Sequence, residues 1–403
     1  MARIACINLG STAISAAVIQ ASRGQLPLPL GYGWVPAVGI ADGQIADLGA
    51  ARRSLAAALE AAERASGGHV GKAIVGINIQ AVRCATHHGQ LTLGRDPQVV
   101  TKRHATQAVR HALMRDVRVA DLLHVIPGRY LVDTRLAARN PLSMPATRLD
   151  VDVVTISAPR NEMQTFARCV QDEGLDINEV VYTPLAIAEA VATANERQAG
   201  VVVLHIGSVS STLFTYVQGA LETVEHLPIG GRMITNDIAV VLRISLEQAE
   251  QMKRAEGKVV CEPGSTRWLT VPPIDGFAAE PIPEQLFTEI IRARVEELFD
   301  FVSDRLAQRR SPVTFPAGIV LTGSTALLGG LEMAARERFR IPARVVLPKL
   351  ARGTFSQKQS WAAIAALVRW VERNEPDLAP DRSFFPGSFF DRLVRRFLPL
   401  GGN

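Results

Sequence analysis

Apolar positions along the chain recur with two periods, one suited to strands and one to helices. Residues 3–19 (RIACINLGSTAISAAVI) and 200–217 (GVVVLHIGSVSSTLFTYV) each read as a β-branched-rich strand, a Gly-Ser turn and a second strand, which is hairpin chemistry. Two such copies predict two related lobes. Residues 48–64 carry an apolar ridge at Leu48, Leu55 and Leu59 and read as an amphipathic helix, followed by a strand over 72–79. The spacing predicts further helices over 160–173, 184–194, 245–256, 283–309 and 357–373, with 175–181 entering a short strand. Residues 317–339 read as strand, glycine turn and helix. The proline-bearing stretch 374–387 reads as a linker.

The last segment, 388–403 (SFFDRLVRRFLPLGGN), has a different pattern. At about 100° per residue, Phe389, Phe390, Leu393, Val394, Phe397 and Leu398 fall on one half of a helix, and Asp391, Arg392, Arg395 and Arg396 on the other. Pro386 and Gly387 break the chain before it, Ser388 with Asp391 resembles a capping pair, and Pro399 ends it. Such a helix can lie in a lipid headgroup layer or pack its apolar face on the parent domain; Phe and Arg on opposite faces favour lipid.

Composition narrows the class. A chain of 403 residues with 47% hydrophobic content can bury a large core, split between two lobes. It has no apolar run of about 18 residues, so no bilayer span is expected. The first residues lack the features of a signal peptide, and Cys6, Cys84, Cys169 and Cys261 are too scattered for metal-type pairs; free thiols in a reducing cytoplasm are expected. The net charge of +5 owes much to Arg382, Arg392, Arg395 and Arg396, which suits anionic membrane lipid better than nucleic acid. With 5% aromatic residues there are few base-stacking platforms, and no nucleic-acid partner is expected. His124 and His205 have no second ligand at metal spacing, so both are read as structural and no metal site is expected.

Three glycine-containing turns follow strands, two in hairpins and one before a helix, in the order of the phosphate and adenosine loops of actin-like ATPases. Residues 124–133 (HVIPGRYLVD) with Asn140-Pro141, 201–221 with its trailing Gly219-Ala220-Leu221, 230–239 (GGRMITNDIA) and 318–331 (GIVLTGSTALLGGL) carry a closer likeness. On these segments and the terminal helix, the chain resembles the bacterial cell-division protein family FtsA over essentially its whole length. The resemblance implies an α/β, actin-like two-lobed ATPase fold, with related mixed-sheet lobes around a nucleotide cleft. It implies subdomain 1A over 1–79 and 158–195, subdomain 1C over 80–157, and subdomain 2A over 196–230 and 313–373 with a closing helix. Subdomain 2B would then cover 231–312, the linker 374–387 and the membrane-targeting helix 388–403.

For sites, the resemblance implies nucleotide contacts from Gly10, Ser11, Thr12, Gly207, Ser208, Ser210, Ser211, Gly230, Glu250, Lys253, Gly323 and Ser324. Glu250 and Lys253 fall where the family lays a helix beside adenine and ribose. It implies membrane binding through Phe389, Phe390, Arg392, Leu393, Val394, Arg395, Arg396, Phe397 and Leu398. It also implies docking of the FtsZ C-terminal peptide on 2B, where Arg292 and Arg294 could pair with acidic groups. Polymerisation with copies of itself, recruitment of later division proteins and residence at the cytoplasmic face of the membrane at the division site complete the expectation. Rival readings are a sugar-kinase-type phosphotransferase and a pilus or secretion-system adaptor of the same fold.

The chain departs from the pattern where catalysis would sit. Actin-like ATPases end the strand before each phosphate loop with an acidic residue that positions magnesium-bound water; here those positions are Asn8 and His205. Ser208 and Val209 replace glycines, and a valine resists positive φ. Glu222 and Glu225 are expected beyond the hairpin, facing solvent. The expectation is no catalytic residue and very slow or absent hydrolysis. Retained hydroxyls at Ser11, Thr12 and 210–212 leave binding of ATP with Mg²⁺ open.

Overall fold

The computed structural model describes residues 2–21, 26–113, 122–138, 140–262, 264–271, 280–308, 314–350 and 361–373. The expected linker and membrane helix, 374–403, lie outside these residues. The described chain divides into two compact units: residues to Gln198 with Phe214–Val224 and the described part beyond Pro348, and Ala199–Leu213 with Glu225–Leu347.

In the first unit a five-stranded sheet runs Asp176–Tyr182, Lys72–Ile77, Ala2–Leu9, Ala13–Ala21, Leu28–Pro36. The last three are antiparallel neighbours, whereas Ala2–Leu9, Lys72–Ile77 and Asp176–Tyr182 are parallel. The helix over 48–64 is Leu48–Ser66, capped by the Asp47 carboxylate accepting from Ala50 N–H and ended by left-handed Gly67. It presses so closely on Leu28–Pro36 that a Cβ on Gly33 would lie 1.9 Å from the Ala58 carbonyl oxygen. An inserted subdomain folds Leu136–Ala138, Leu122–Val132, Arg148–Ser157 and Arg83–Thr92 into one sheet. The helix Lys102–Leu113 covers it around Val109, Ala112, Tyr130, Leu149 and Val153.

The predicted 184–194 helix is Thr183–Val191; Ala192 turns extended, and a separate short helix, Ala194–Ala199, follows. Thr193 and Glu196 form its reciprocal cap, with Thr193 N–H donating to Glu196 Oε2 (2.8 Å) and Glu196 N–H to Thr193 Oγ1 (3.2 Å). The connector at 175–181 is a full strand, Asp176–Tyr182.

The second sheet is ordered Ala220–Leu227, Ser211–Val217, Val201–Ile206, Ile319–Thr322, Ala343–Val345. Val201–Ile206, Ile319–Thr322 and Ala343–Val345 are parallel. The hairpin at 200–217 therefore continues into a third strand through the turn Gln218-Gly219, both at positive φ (49° and 82°). This corrects the placement of Glu222 and Glu225: both lie on that third strand and are half-buried, not solvated beyond a hairpin. Burial pushes the Glu225 carboxyl up, with Arg305 at 4.0 Å opposing the shift. The helices Gly231–Leu242, Leu246–Glu256 and Glu284–Ala307 complete the second unit with Leu331–Phe339. The first two pack on each other, and Ser245 with Gln248 forms a capping box on the second.

Candidate nucleotide site

The first glycine turn is closed by Gly10 N–H donating to the Ala13 carbonyl (3.1 Å), and the second by Gly207 N–H donating to the Ser210 carbonyl (3.0 Å). The two turns have the same closure and the same offset from their strands, so Asn8 and His205, each two residues before the turn glycine, are equivalent positions. Neither Ser208 nor Val209 has positive φ. The expected conflict between Val209 and a left-handed turn is therefore corrected: the turn is built from ordinary negative-φ residues.

In the first turn, Ser11 Oγ accepts from Gly43 N–H (3.1 Å) and the Thr12 carbonyl accepts from Ala37 N–H (3.1 Å). Asn8 is in register with Gly76 on the parallel neighbour. A Cβ on Gly76 would come 2.6 Å from Thr183 Oγ1, so the glycine leaves room for Thr183 to donate to Asn8 Oδ1 at 3.0 Å. Thr183 was not among the sequence candidates; only the strand pairing brings it to the turn.

The second turn rests mainly on backbone. Its Gly207 carbonyl accepts from Gly231 N–H (2.9 Å) and from Thr325 Oγ1 (3.0 Å), and the Ser208 carbonyl accepts from Arg232 N–H (2.7 Å). These bonds take up the first amides of the helix Gly231–Leu242. A Cβ on Gly230 would lie 2.6–2.7 Å from backbone atoms of Ser208, Val209 and Ser210. Ser210 and Ser211 are buried, and Ser211 Oγ donates to the Ile229 carbonyl (2.6 Å), so Ser211 braces the turn from inside rather than facing a phosphate.

His205 is 7% exposed, and among the described residues its Nδ1 has no hydrogen-bond partner. Burial pushes its pKa down to about 4, so the ring is neutral. Beside it, Gly323 holds φ of 98°, and a Cβ there would meet the Ile206 carbonyl oxygen at 2.4 Å and His205 Cε1 at 3.0 Å. Ser324 follows as the first residue before the short 3₁₀ turn Thr325–Leu327.

Glu250 and Lys253 form one polar ledge with the helix Gly231–Leu242. Lys253 Nζ donates to the Gly231 carbonyl (2.8 Å), Thr235 Oγ1 (2.6 Å) and Glu250 Oε2 (2.5 Å). Arg254 Nε donates to Glu250 Oε1 (2.8 Å). Burial pushes the Glu250 carboxyl up, but hydrogen bonds from Lys253 and Thr235 outweigh it and hold the group below its ordinary range. Burial lowers Lys253, with Glu250 opposing.

The two arginines expected on the partner surface are used differently. Arg294 makes a two-pronged pair with Asp237, Nε to Oδ2 at 2.8 Å and Nη2 to Oδ1 at 2.9 Å, and also pairs with Glu297. It thereby ties Glu284–Ala307 to Gly231–Leu242, with its side chain 22% exposed. Arg292 makes an exposed pair one turn along with Glu296 (2.7 Å). No described helix is long and apolar enough to cross a membrane, and no group of three His, Cys, Asp or Glu among the described residues could hold a metal.

The family model for cell division protein FtsA matches residues 202–366, and that for the SHS2 domain inserted in FtsA matches 80–157. Cell division protein FtsA of Bacillus subtilis strain 168 is 30% identical over 322 residues, covering 79% of this chain and 73% of that protein. FtsA of Pseudomonas aeruginosa strain PAO1 is 29% identical over 354 residues, 86% of this chain and 83% of that protein. Among solved structures, the PilM–PilN type IV pilus biogenesis complex matches with TM-score 0.63 at 17% identity, over 91% of this chain and 98% of that one. MreB 5 of Spiroplasma citri bound to AMPPNP matches with TM-score 0.56 at 12% identity, over 91% and 95%. The MamK double helical filament matches with TM-score 0.53 at 12% identity, over 92% and 99%. The fold is the actin-like, two-lobed ATPase fold.

Proposed function

The chain belongs to the FtsA family of cell-division proteins, and from that premise we propose that it works as a membrane adaptor of division: it assembles with copies of itself on the cytoplasmic face of the membrane and tethers FtsZ there. The observation that carries the reading is the terminal sequence, in which six large apolar residues, Phe389 to Leu398, alternate by helical spacing with Arg392, Arg395 and Arg396. Each buried apolar side chain contributes about 1.5–3 kcal/mol at most, and each basic residue near anionic lipid about 1 kcal/mol. Ordering the helix offsets much of that gain, so one tail binds reversibly, and an array of tails binds through effective concentration. Phe390→Glu or Phe397→Glu should move the protein from the pellet to the supernatant with anionic vesicles while its circular dichroism is unchanged. Co-sedimentation of either variant at the level of the parent would place the anchor elsewhere.

In this reading nucleotide is a structural ligand. Within the second unit, Glu250 and Lys253 would meet the ribose and base edge, and the turn at Gly207 would face phosphate. With Asn8 and His205 at the strand ends, phosphate release from ATP by the purified protein should stay at the blank rate. An acidic FtsZ peptide would find Arg292 on the outer face of Glu284–Ala307, while Arg294 is held by Asp237.

A further inference from the structure

Actin-like ATPases imply Mg²⁺ beside the phosphates, and the residues of this chain do not fit it. Mg²⁺ takes hard oxygen ligands, usually carboxylates, in near-octahedral geometry. Asn8 offers one carbonyl oxygen, and Thr183 Oγ1 already donates to it at 3.0 Å. The Asn8 amide nitrogen lies on the turn side, 3.1 Å from where a Cβ on Gly10 would sit, and presents a donor there, which repels a cation. At the equivalent position His205 is buried and neutral, with Nδ1 unpartnered among the described residues; imidazole suits zinc or copper far better than magnesium.

Among the described residues, no carboxylate beside the second turn can take over. Glu250 is held by Lys253, Arg254 and Thr235, and Asp237 by both prongs of Arg294. What the turns do offer is neutral donors. The backbone N–H groups of Ser11, Thr12, Ser208 and Val209 make no hydrogen bond among the described residues, and a neutral imidazole carries one N–H.

We propose that this chain holds nucleotide free of any divalent cation: neither strand end, Asn8 nor His205, offers magnesium a ligand set, and the phosphates are left to backbone amides and neutral side chains. The inference rests on the nucleotide reading above and concerns how that same site is charged. Free ATP and its magnesium complex then compete differently from the way they do in a metal-dependent actin-like ATPase: chelating the metal leaves the bound species unchanged.

The test is calorimetric titration of the full chain with ATP, once in excess EDTA and once in millimolar Mg²⁺. Millimolar Mg²⁺ converts most ATP to its magnesium complex, so the expected result is a dissociation constant at least about threefold tighter in EDTA than in Mg²⁺. Binding that is equal in the two buffers, or tighter in Mg²⁺, overturns the proposal and leaves the nucleotide reading standing. Absence of binding in both buffers overturns the nucleotide reading and this proposal with it. A second arm uses Asn8→Asp with His205→Asp, checked for folding by circular dichroism. A carboxylate at each strand end should make binding fall at least tenfold on moving from Mg²⁺ to EDTA. A folded double variant with equal affinity in both buffers overturns the assignment of these two positions.

Discussion

The turn at Gly10 and the turn at Gly207 share a closing bond (3.1 and 3.0 Å) and a strand-turn-strand frame, yet their surroundings are opposite in kind. The first is wired by side chains: Thr183 holds Asn8, and Ser11 accepts from Gly43. The second is seated mainly on backbone, with Gly231 and Arg232 amides donating into it beside one hydroxyl, Thr325, and with Gly230 and Gly323 packed against it without room for a Cβ. Nδ1 of its strand-end residue, His205, is buried and unpartnered among the described residues. Two copies of one motif thus reach the same turn by polar anchoring and by close packing, and the two routes respond to different perturbations.

Adding a methyl group separates them most. Gly323→Ala combines a left-handed backbone (φ 98°) with a 2.4 Å approach to the Ile206 carbonyl oxygen. Positive φ costs an L-residue about 1–2 kcal/mol and overpacking about 1–3 kcal/mol, so a loss of about 3 kcal/mol or more is expected. Gly230→Ala meets three backbone atoms at 2.6–2.7 Å and should cost about 3 kcal/mol. Gly10→Ala meets the Ala13 carbonyl oxygen at 2.9 Å and the movable Asn8 amide at 3.1 Å, and should cost about 1 kcal/mol. Urea unfolding midpoints of the three variants measure the contrast. Equal losses at Gly10 and Gly230 would erase the distinction between the turns.

Much of this frame was legible in the residues. The two hairpins follow from β-branched runs either side of Gly-Ser, and Leu48–Ser66 from its apolar ridge. The third strand Ala220–Leu227 was missed because Gln218-Gly219 is a weaker type I′ signal than Asn-Gly, although Gly219 was in view. The break after Val191 was missed because the Thr193–Glu196 cap lies inside an alanine-rich stretch that reads as continuous helix. Residues brought together by the sheet were out of reach. Thr183 meets Asn8 only because Gly76 sits between them in register, and Arg294 meets Asp237 only through helix packing. The bond from Ser211 to the Ile229 carbonyl, 18 residues on, is a tertiary contact that a hydroxyl count along the loop does not weigh.

Acid is the next lever. His205 is pushed to about 4 and His124 to about 3 by burial, both below the ordinary imidazole value. The unfolded chain binds more protons than the folded one through that window, so stability is full above about pH 6.5 and falls as pH drops toward the folded values, by roughly 1.4 kcal/mol per unit for each ring. Between pH 6.5 and 5, each contributes a loss of about 2 kcal/mol. His124 Nε2 accepts from Tyr182 N–H (2.9 Å), so replacing it also removes a bond, whereas His205 has none to lose. His205→Leu should therefore reduce the acid slope of the urea midpoint while leaving stability at pH 7.5 unchanged or higher. A parent-like slope in this variant would mean that burial does not hold the His205 ring neutral.

The smallest effect expected is the most specific to the first turn. Thr183→Val keeps the shape of a buried side chain and removes the donor to Asn8 Oδ1. A neutral hydrogen bond is worth about 1 kcal/mol net, and the half-buried Asn8 oxygen can recover part of that from water. Asn8→Ala removes the acceptor instead, and the pair of variants closes a double-mutant cycle. A coupling of about 0.5–1 kcal/mol is expected, because each single change already abolishes the bond and the double variant loses nothing further. The equivalent cycle at the second turn, His205→Leu with Thr325→Val, should give a coupling near zero, since the Thr325 hydroxyl bonds the Gly207 carbonyl and makes no bond to the ring. Comparable couplings in the two cycles would mean that both strand ends are anchored by side chains, and the contrast between a wired turn and a packed one would not hold.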